Sequence, residues 1–309
     1  MLLKMFLCLL TYAHIYTTPL SVHDLDSIPK FDLKAPQFLK ASDSILLAYY
    51  DYTTDQDQEV LIFYVGPGLY GNKLYQWFAK NLQEQYHTGC YIFDLRGHGN
   101  SQGPRGDTIL TKQVFVDIKD AITLAKQHHP SAAIYLAGHN TGAGLLVNFA
   151  ANMPQDDVNG FILLTPYLGA TTKSLKEHKQ SADGFIAKTN ASTYSVGALF
   201  PTGFPAHKTA VYFDYSPELL ESDPLIVPSY TLAMSLATTP TDPKKILHKI
   251  QKPTLIVMGK NDDAFLTKKK KTFNQMIPAP VETQKIEDTS FISVLHSAPE
   301  LIADYLESL

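Results

Sequence analysis

Two cysteines, Cys8 and Cys90, are all that the 309 residues carry. Two thiols make no disulfide framework, and their placement matches no metal-ligand spacing. An excess of charge of one sign is lacking as well. Twenty-six Lys and Arg stand against 30 Asp and Glu, a formal net charge of −4, which gives no electrostatic reason to expect a nucleic-acid partner. After the N-terminus no apolar run is long enough to span a bilayer, so no transmembrane segment is expected. Internal repeats and low-complexity tracts do not occur. Charged residues at 18% and hydrophobic residues at 45% exclude a disordered chain and leave a globular one able to bury a full core.

The N-terminus has two readings. Met1–Tyr16 (MLLKMFLCLLTYAHIY) places one lysine ahead of an apolar stretch broken by Thr11, Tyr12 and His14. Residues 1–22 are either the core of a secretory signal or a packed N-terminal segment, and no A-x-A cleavage site follows. The first reading puts the protein outside the cell or in a periplasm, the second in the cytoplasm. The localisation stays open at this stage.

What is present is a rhythm of strands and helices. Phe38–Tyr52 reads as a hairpin about Ser42-Asp43-Ser44. Val60–Val65 (VLIFYV), Cys90–Asp94 (CYIFD), Ala132–Ala137 (AAIYLA) and Thr254–Met258 (TLIVM) are short, largely apolar runs, the mark of strands buried on both faces of a parallel sheet, and Val158–Leu164 (VNGFILL) reads as another strand. Helical spacing joins them over Leu74–Gln85 and Ile109–His128, and again after Thr141. Thr267–Met276 reads as a helix, Val281–Ile286 as a strand and Pro299–Leu309 as a closing amphipathic helix. Such alternation predicts an α/β class, a mostly parallel doubly wound sheet. The rhythm breaks over residues 169–250, rich in Pro, Tyr, Phe and Thr, which read as an inserted cap of helices and loops. The core then comprises residues 23–168 and 251–309.

The whole is arranged around Gly138-His139-Asn140-Thr141-Gly142-Ala143-Gly144. The pattern is G-x-S-x-G with Asn140 where serine belongs. In a nucleophile elbow that residue sits on a strained strand-to-helix turn. Together with Asp94-Leu95-Arg96-Gly97-His98-Gly99 and Pro253–Asp263 (PTLIVMGKNDD), this order of motifs resembles the α/β-hydrolase superfamily over almost all of the chain after residue 36. Within it the chain is most similar to the monoacylglycerol lipase, lysophospholipase and serine aminopeptidase-like group.

That resemblance implies acyl transfer: a nucleophile, a histidine base, an acid that orients the base, and two backbone N–H groups for the oxyanion. The nucleophile position holds Asn140, whose amide nitrogen is delocalised and whose oxygen is a weak nucleophile. Asparagine tolerates the positive φ of an elbow better than most residues, so it can keep the turn without the chemistry. Asp262, with Asp263 beside it, matches the acid position. The loop after the last strand, where the family has its histidine, holds Ser290, and His296 is the nearby imidazole. For the oxyanion donors, Gly66 and Pro67 stand where the family has His-Gly: if Pro67 takes the donor position it has no N–H to offer, and if the loop resembles the His-Gly-Gly-Pro-Gly form of proline iminopeptidases, Gly66 is the donor. Thr141 keeps the second donor.

The resemblance therefore implies a lipid- or ester-hydrolase relative that is catalytically impaired and keeps a capped pocket for an acyl or lipid-like small molecule. The alternative is an active carboxylic-ester or lysolipid hydrolase using a non-standard residue set. No metal or organic cofactor is implied. The glycine spacing at 138, 142 and 144 also matches a dinucleotide turn. Its mid-chain position, and the lack of an acidic residue after the next strand, weigh against that reading. Lys268–Lys271 reads as a solvated helical face, with an anionic membrane surface as the alternative.

Overall fold

The computed structural model describes residues 28–169, 186–199, 203–259, 281–287 and 292–309. The strands of the main sheet are β1 (Gln37–Lys40), β2 (Leu46–Tyr52), β3 (Glu59–Tyr64), β4 (Gly89–Phe93), β5 (Ala133–His139) and β6 (Gly160–Leu164), then β10 (Thr254–Gly259) and β11 (Val281–Ile286). They form one eight-stranded sheet in the order β1-β2-β4-β3-β5-β6-β10-β11. The pairs β1–β2 and β2–β4 are antiparallel, and every other pair is parallel. Central strands are apolar because both of their faces are covered: Val60, Leu61, Ile62 and Phe63 are wholly buried. The expected hairpin is β1–β2, turned at Ser44, whose φ is 72°.

Helices α1 (Lys73–Tyr86), α2 (Thr111–His128) and α3 (Thr141–Asn152) connect the central strands, and α8 (Val294–Glu307) closes the chain. The helix α1 packs on α8. On α2 and α3, Phe115 and Phe149 meet edge to face with centroids 6.5 Å apart. The start of α1 is set by Asn72, whose side chain accepts from the Leu74 N–H, satisfying one of the orphan donors of a first turn. The closing helix begins five residues before the position the sequence indicated, so Pro299 lies inside it.

The insertion departs further from expectation. Between β6 and β10, which pair directly, it carries a three-stranded antiparallel sheet: β7 (Ile186–Thr189), β8 (Thr209–Phe213) and β9 (Ser229–Thr231). It also has helices α4 (Ala191–Leu199), α5 (Pro217–Ser222), α6 (Leu232–Thr238) and α7 (Pro243–Leu247). A cap of helices and loops alone is therefore corrected. These strands are short and antiparallel, and Thr209–Phe213 is interrupted by the exposed Tyr212, so they lack the continuous apolar run by which parallel strands announce themselves. The cap is anchored to the core where the Asn148 amide on α3 donates to the carbonyls of Leu236 and Ala237. The expected helix over Thr267–Met276 and the Lys268–Lys271 run lie outside the described residues. Among the described residues no helix is long and apolar enough to cross a membrane.

Candidate functional site

The turn between β5 and α3 puts Asn140 at its tip with φ 51° and ψ −109°. That φ is the positive value an elbow requires. The ψ, however, lies outside the left-handed helical well where asparagine is enriched, so the residue is strained and its tolerance of αL explains only part of its presence. The turn is held by its backbone. The Asn140 N–H donates to the Leu164 carbonyl, and the Asn140 carbonyl accepts from Gly144 and Tyr167. Glycine is obligatory at 142, where a Cβ would come within 2.3 Å of the Tyr64 carbonyl oxygen and 2.5 Å of that of Val65. The helix start is thereby pressed against the end of β3.

The end of β3 is the loop Val65-Gly66-Pro67-Gly68. Its donors are already engaged. The Gly66 N–H donates to the Tyr75 hydroxyl at 2.8 Å, and that hydroxyl shares a 2.8 Å hydrogen bond with His139 Nδ1. Pro67 has no N–H, and its carbonyl accepts from Tyr215 of the cap. The Gly68 N–H donates to the Tyr230 hydroxyl at 2.8 Å. Both glycine N–H groups that could face an oxyanion are thus capped by tyrosine oxygens.

The proton of Tyr230 can be assigned. His98 Nδ1 lies 2.9 Å from the Arg96 carbonyl, which only accepts, so Nδ1 carries the hydrogen. Burial holds the His98 pKa down to about 4, so Nε2 is bare near neutrality. Tyr230, 2.9 Å away, donates to it. The Tyr230 oxygen therefore accepts from Gly68 and gives its one proton to His98. Burial pushes the Tyr230 phenol pKa up, so the hydroxyl keeps its proton, and Thr141 Oγ1 is buried and unpaired.

Thr141 opens α3, so its N–H has no intrahelical acceptor. Asn140 beside it is 2% exposed, and its Oδ1 is buried with no hydrogen-bond partner. The structure therefore brings Gly66, Pro67, Asn140 and Thr141 to the junction of two strand ends and one helix start. His296 is placed in the first turn of α8, where its ring tilts against Trp77 of α1 with centroids 4.6 Å apart. It lines a surface groove with Asn81, Gln85 and Glu300. The contacts described for its ring are there, and none is with the elbow. Partial burial lowers its pKa. Asp262, Asp263 and Ser290 lie outside the described residues.

Sequence reasoning did not single out Tyr75, His98, His139, Tyr215 or Tyr230. Tyr75 reads as one more apolar position of α1. Tyr230 is 162 residues from the glycine whose N–H it accepts, a separation that no local pattern marks. Among the described residues no group of three or more His, Cys, Asp or Glu is placed to hold a metal ion.

An eight-stranded, mostly parallel sheet, a strand-turn-helix elbow and a cap inserted before β10 define an α/β-hydrolase. The chain belongs to the serine aminopeptidase S33 family, whose model matches residues 58–291. It is 23% identical to human monoglyceride lipase over 279 residues, 89% of this chain and 88% of that protein. Among solved structures, it resembles a soluble variant of monoglyceride lipase from Saccharomyces cerevisiae in complex with a substrate analog, at a TM-score of 0.64. That match has 16% identity, with 90% of this chain and 96% of the other covered. Est1E from Butyrivibrio proteoclasticus, bound to ferulic acid, matches at a TM-score of 0.63 and 16% identity, covering 88% of this chain and 98% of the other.

Proposed function

We propose that this protein is an acyl-ligand-binding member of its family that carries out no acyl transfer through residue 140. The observation that carries the reading is the side chain at the elbow tip. An amide cannot be turned into a competent nucleophile by a neighbouring base, because its nitrogen lone pair is delocalised and its oxygen carries no acidic proton. The capped Gly66 and Gly68 N–H groups support the same reading, since transition-state stabilisation needs donors free to meet the developing oxyanion. The acyl or lipid-like nature of the ligand is supported by the monoglyceride lipase relatives and by the apolar and aromatic cap beside the elbow.

The open Thr141 N–H favours one competing reading, an esterase whose attacking group lies elsewhere in the cleft. A panel of p-nitrophenyl esters separates the two. The binding reading expects no turnover above blank, together with a rise in melting temperature when monoacylglycerols or fatty acids are added. Turnover that survives Asn140→Ala would establish the competing reading instead, and turnover that Asn140→Ala abolishes would overturn the proposal itself.

A further inference from the structure

We propose that His128, His129, Tyr91 and Thr53 hold a divalent transition-metal ion, with Zn²⁺ the fitting species, at the C-terminal end of α2. The site precedes β5, whereas the elbow follows it, and it rests on nothing in the acyl-ligand reading.

The four donor atoms meet from three segments of the chain. Tyr91 Oη, on β4, lies 3.1 Å from His128 Nδ1 and 2.9 Å from His129 Nε2. Thr53 Oγ1, just past β2, lies 3.1 Å from His129 Nε2 and 3.4 Å from Tyr91 Oη. Two donors about 2.0–2.1 Å from one ion stand about 2.8–3.0 Å apart at a right angle and about 3.3–3.4 Å apart at the tetrahedral angle. The four observed separations span that interval. Hydrogen bonds alone do not fill them. The Thr53 hydroxyl spends its proton on Asp51 Oδ1 at 2.7 Å. At most one proton each then remains on Tyr91 Oη, His128 Nδ1 and His129 Nε2, so one of the four contacts has no proton of its own. A cation drawing on a lone pair of each atom satisfies all of them together.

The surroundings favour positive charge. The hydroxyl and the N–H of Thr53 both donate to Asp51, which sets a carboxylate behind the donors and turns the Thr53 lone pairs towards them. The 18-residue α2 ends here, and its carbonyl end is the negative pole of the helix. Lys126, in the same last turn, is drawn off to Asp157 at 2.8 Å. His128 is exposed while Tyr91 is wholly buried, so an ion reaches the inner donors from solvent past one imidazole. Imidazoles with oxygen donors suit Zn²⁺ and its neighbours, whereas Mg²⁺ and Ca²⁺ take oxygen sets. Two imidazoles fall short of a group of three among His, Cys, Asp and Glu, and the two hydroxyls make up the shell.

The test is calorimetric titration of Zn²⁺ into the full-length protein after treatment with a chelator, with Mg²⁺ as the control ion. The wild type is expected to take up one Zn²⁺ per chain and to melt at a higher temperature in its presence, and Mg²⁺ to do neither. His128→Ala alters an exposed side chain, so the fold stands. It is expected to weaken Zn²⁺ about tenfold or more, since loss of even an outer-shell partner costs that much. The same is expected of His129→Gln and Tyr91→Phe, while His248→Ala, at an exposed histidine outside the cluster, keeps the wild-type affinity. A wild type that takes up no Zn²⁺ overturns the proposal. So does an affinity that His128→Ala and His129→Gln leave unchanged, because the ion is then held elsewhere.

Discussion

The Tyr75 hydroxyl accepts the Gly66 N–H at 2.8 Å and holds His139 Nδ1 at the same distance. One buried oxygen thus ties the loop after β3 to the last residue of β5, and the candidate oxyanion donor is spent on that tie. Tyr75→Phe keeps the ring and removes the oxygen, leaving two buried polar groups short of a partner. The expected cost is about 2 kcal/mol or more in urea unfolding, with faster amide exchange at Gly66. An unchanged stability would mean that the Gly66 N–H has another acceptor.

The elbow itself stores strain. With φ 51° and ψ −109°, Asn140 occupies a region that costs an L-residue about 1–3 kcal/mol, and it buries an unpaired oxygen. Asn140→Gly should therefore stabilise the fold by about 1 kcal/mol, after the larger chain entropy of glycine in the unfolded state is subtracted. Gly142→Ala should do the reverse. Its new methyl would meet two main-chain carbonyls that cannot step aside, and a loss of about 3 kcal/mol is expected. Both are read as shifts of the urea midpoint.

Acid should loosen the link between cap and core. His98 has its pKa lowered from 6.5 to about 4 by burial. A histidine depressed in the folded state contributes stability above its unfolded pKa and loses it as pH falls through the folded one. The contribution at stake is about 3 kcal/mol, present above pH 6.5 and gone below pH 4. Protonation of Nε2 would also take away the acceptor for Tyr230. Asp94, raised to about 7 by burial, acts in the opposite sense, its contribution fading as pH rises towards 7. Comparison with His98→Gln cancels that background. The stability difference between wild type and variant should shrink by about 3 kcal/mol from pH 7 to pH 4, and a flat difference would show that His98 titrates normally.

The parallel core was legible because a strand covered on both faces must be apolar throughout, as Val60–Tyr64 and Thr254–Met258 are. The turn at residues 138–144 was legible because close approach of α3 to β3 admits only glycine at 142. The strands of the cap were not, since a short antiparallel strand such as Thr209–Phe213 looks like a loop rich in Thr and aromatics. Pro299 misled the placement of α8: proline marks a first helical position in sequence terms, yet here it sits a turn further in. The tyrosines that cap the Gly66 and Gly68 N–H groups were invisible, because a hydroxyl delivered from another element leaves no trace in local spacing. Asn140 and Thr141 were singled out by motif. Gly66 and Pro67 were singled out by their place after β3, and how their polar groups are used is visible only in three dimensions.

The most direct test of the disabled elbow is the initial rate of p-nitrophenyl butyrate hydrolysis by the wild type and by Asn140→Ala at equal, high protein concentration. The account predicts that both rates equal the protein-free blank. A wild-type rate clearly above blank that disappears on Asn140→Ala would contradict it, because residue 140 would then be taking part in the chemistry its amide is held to exclude.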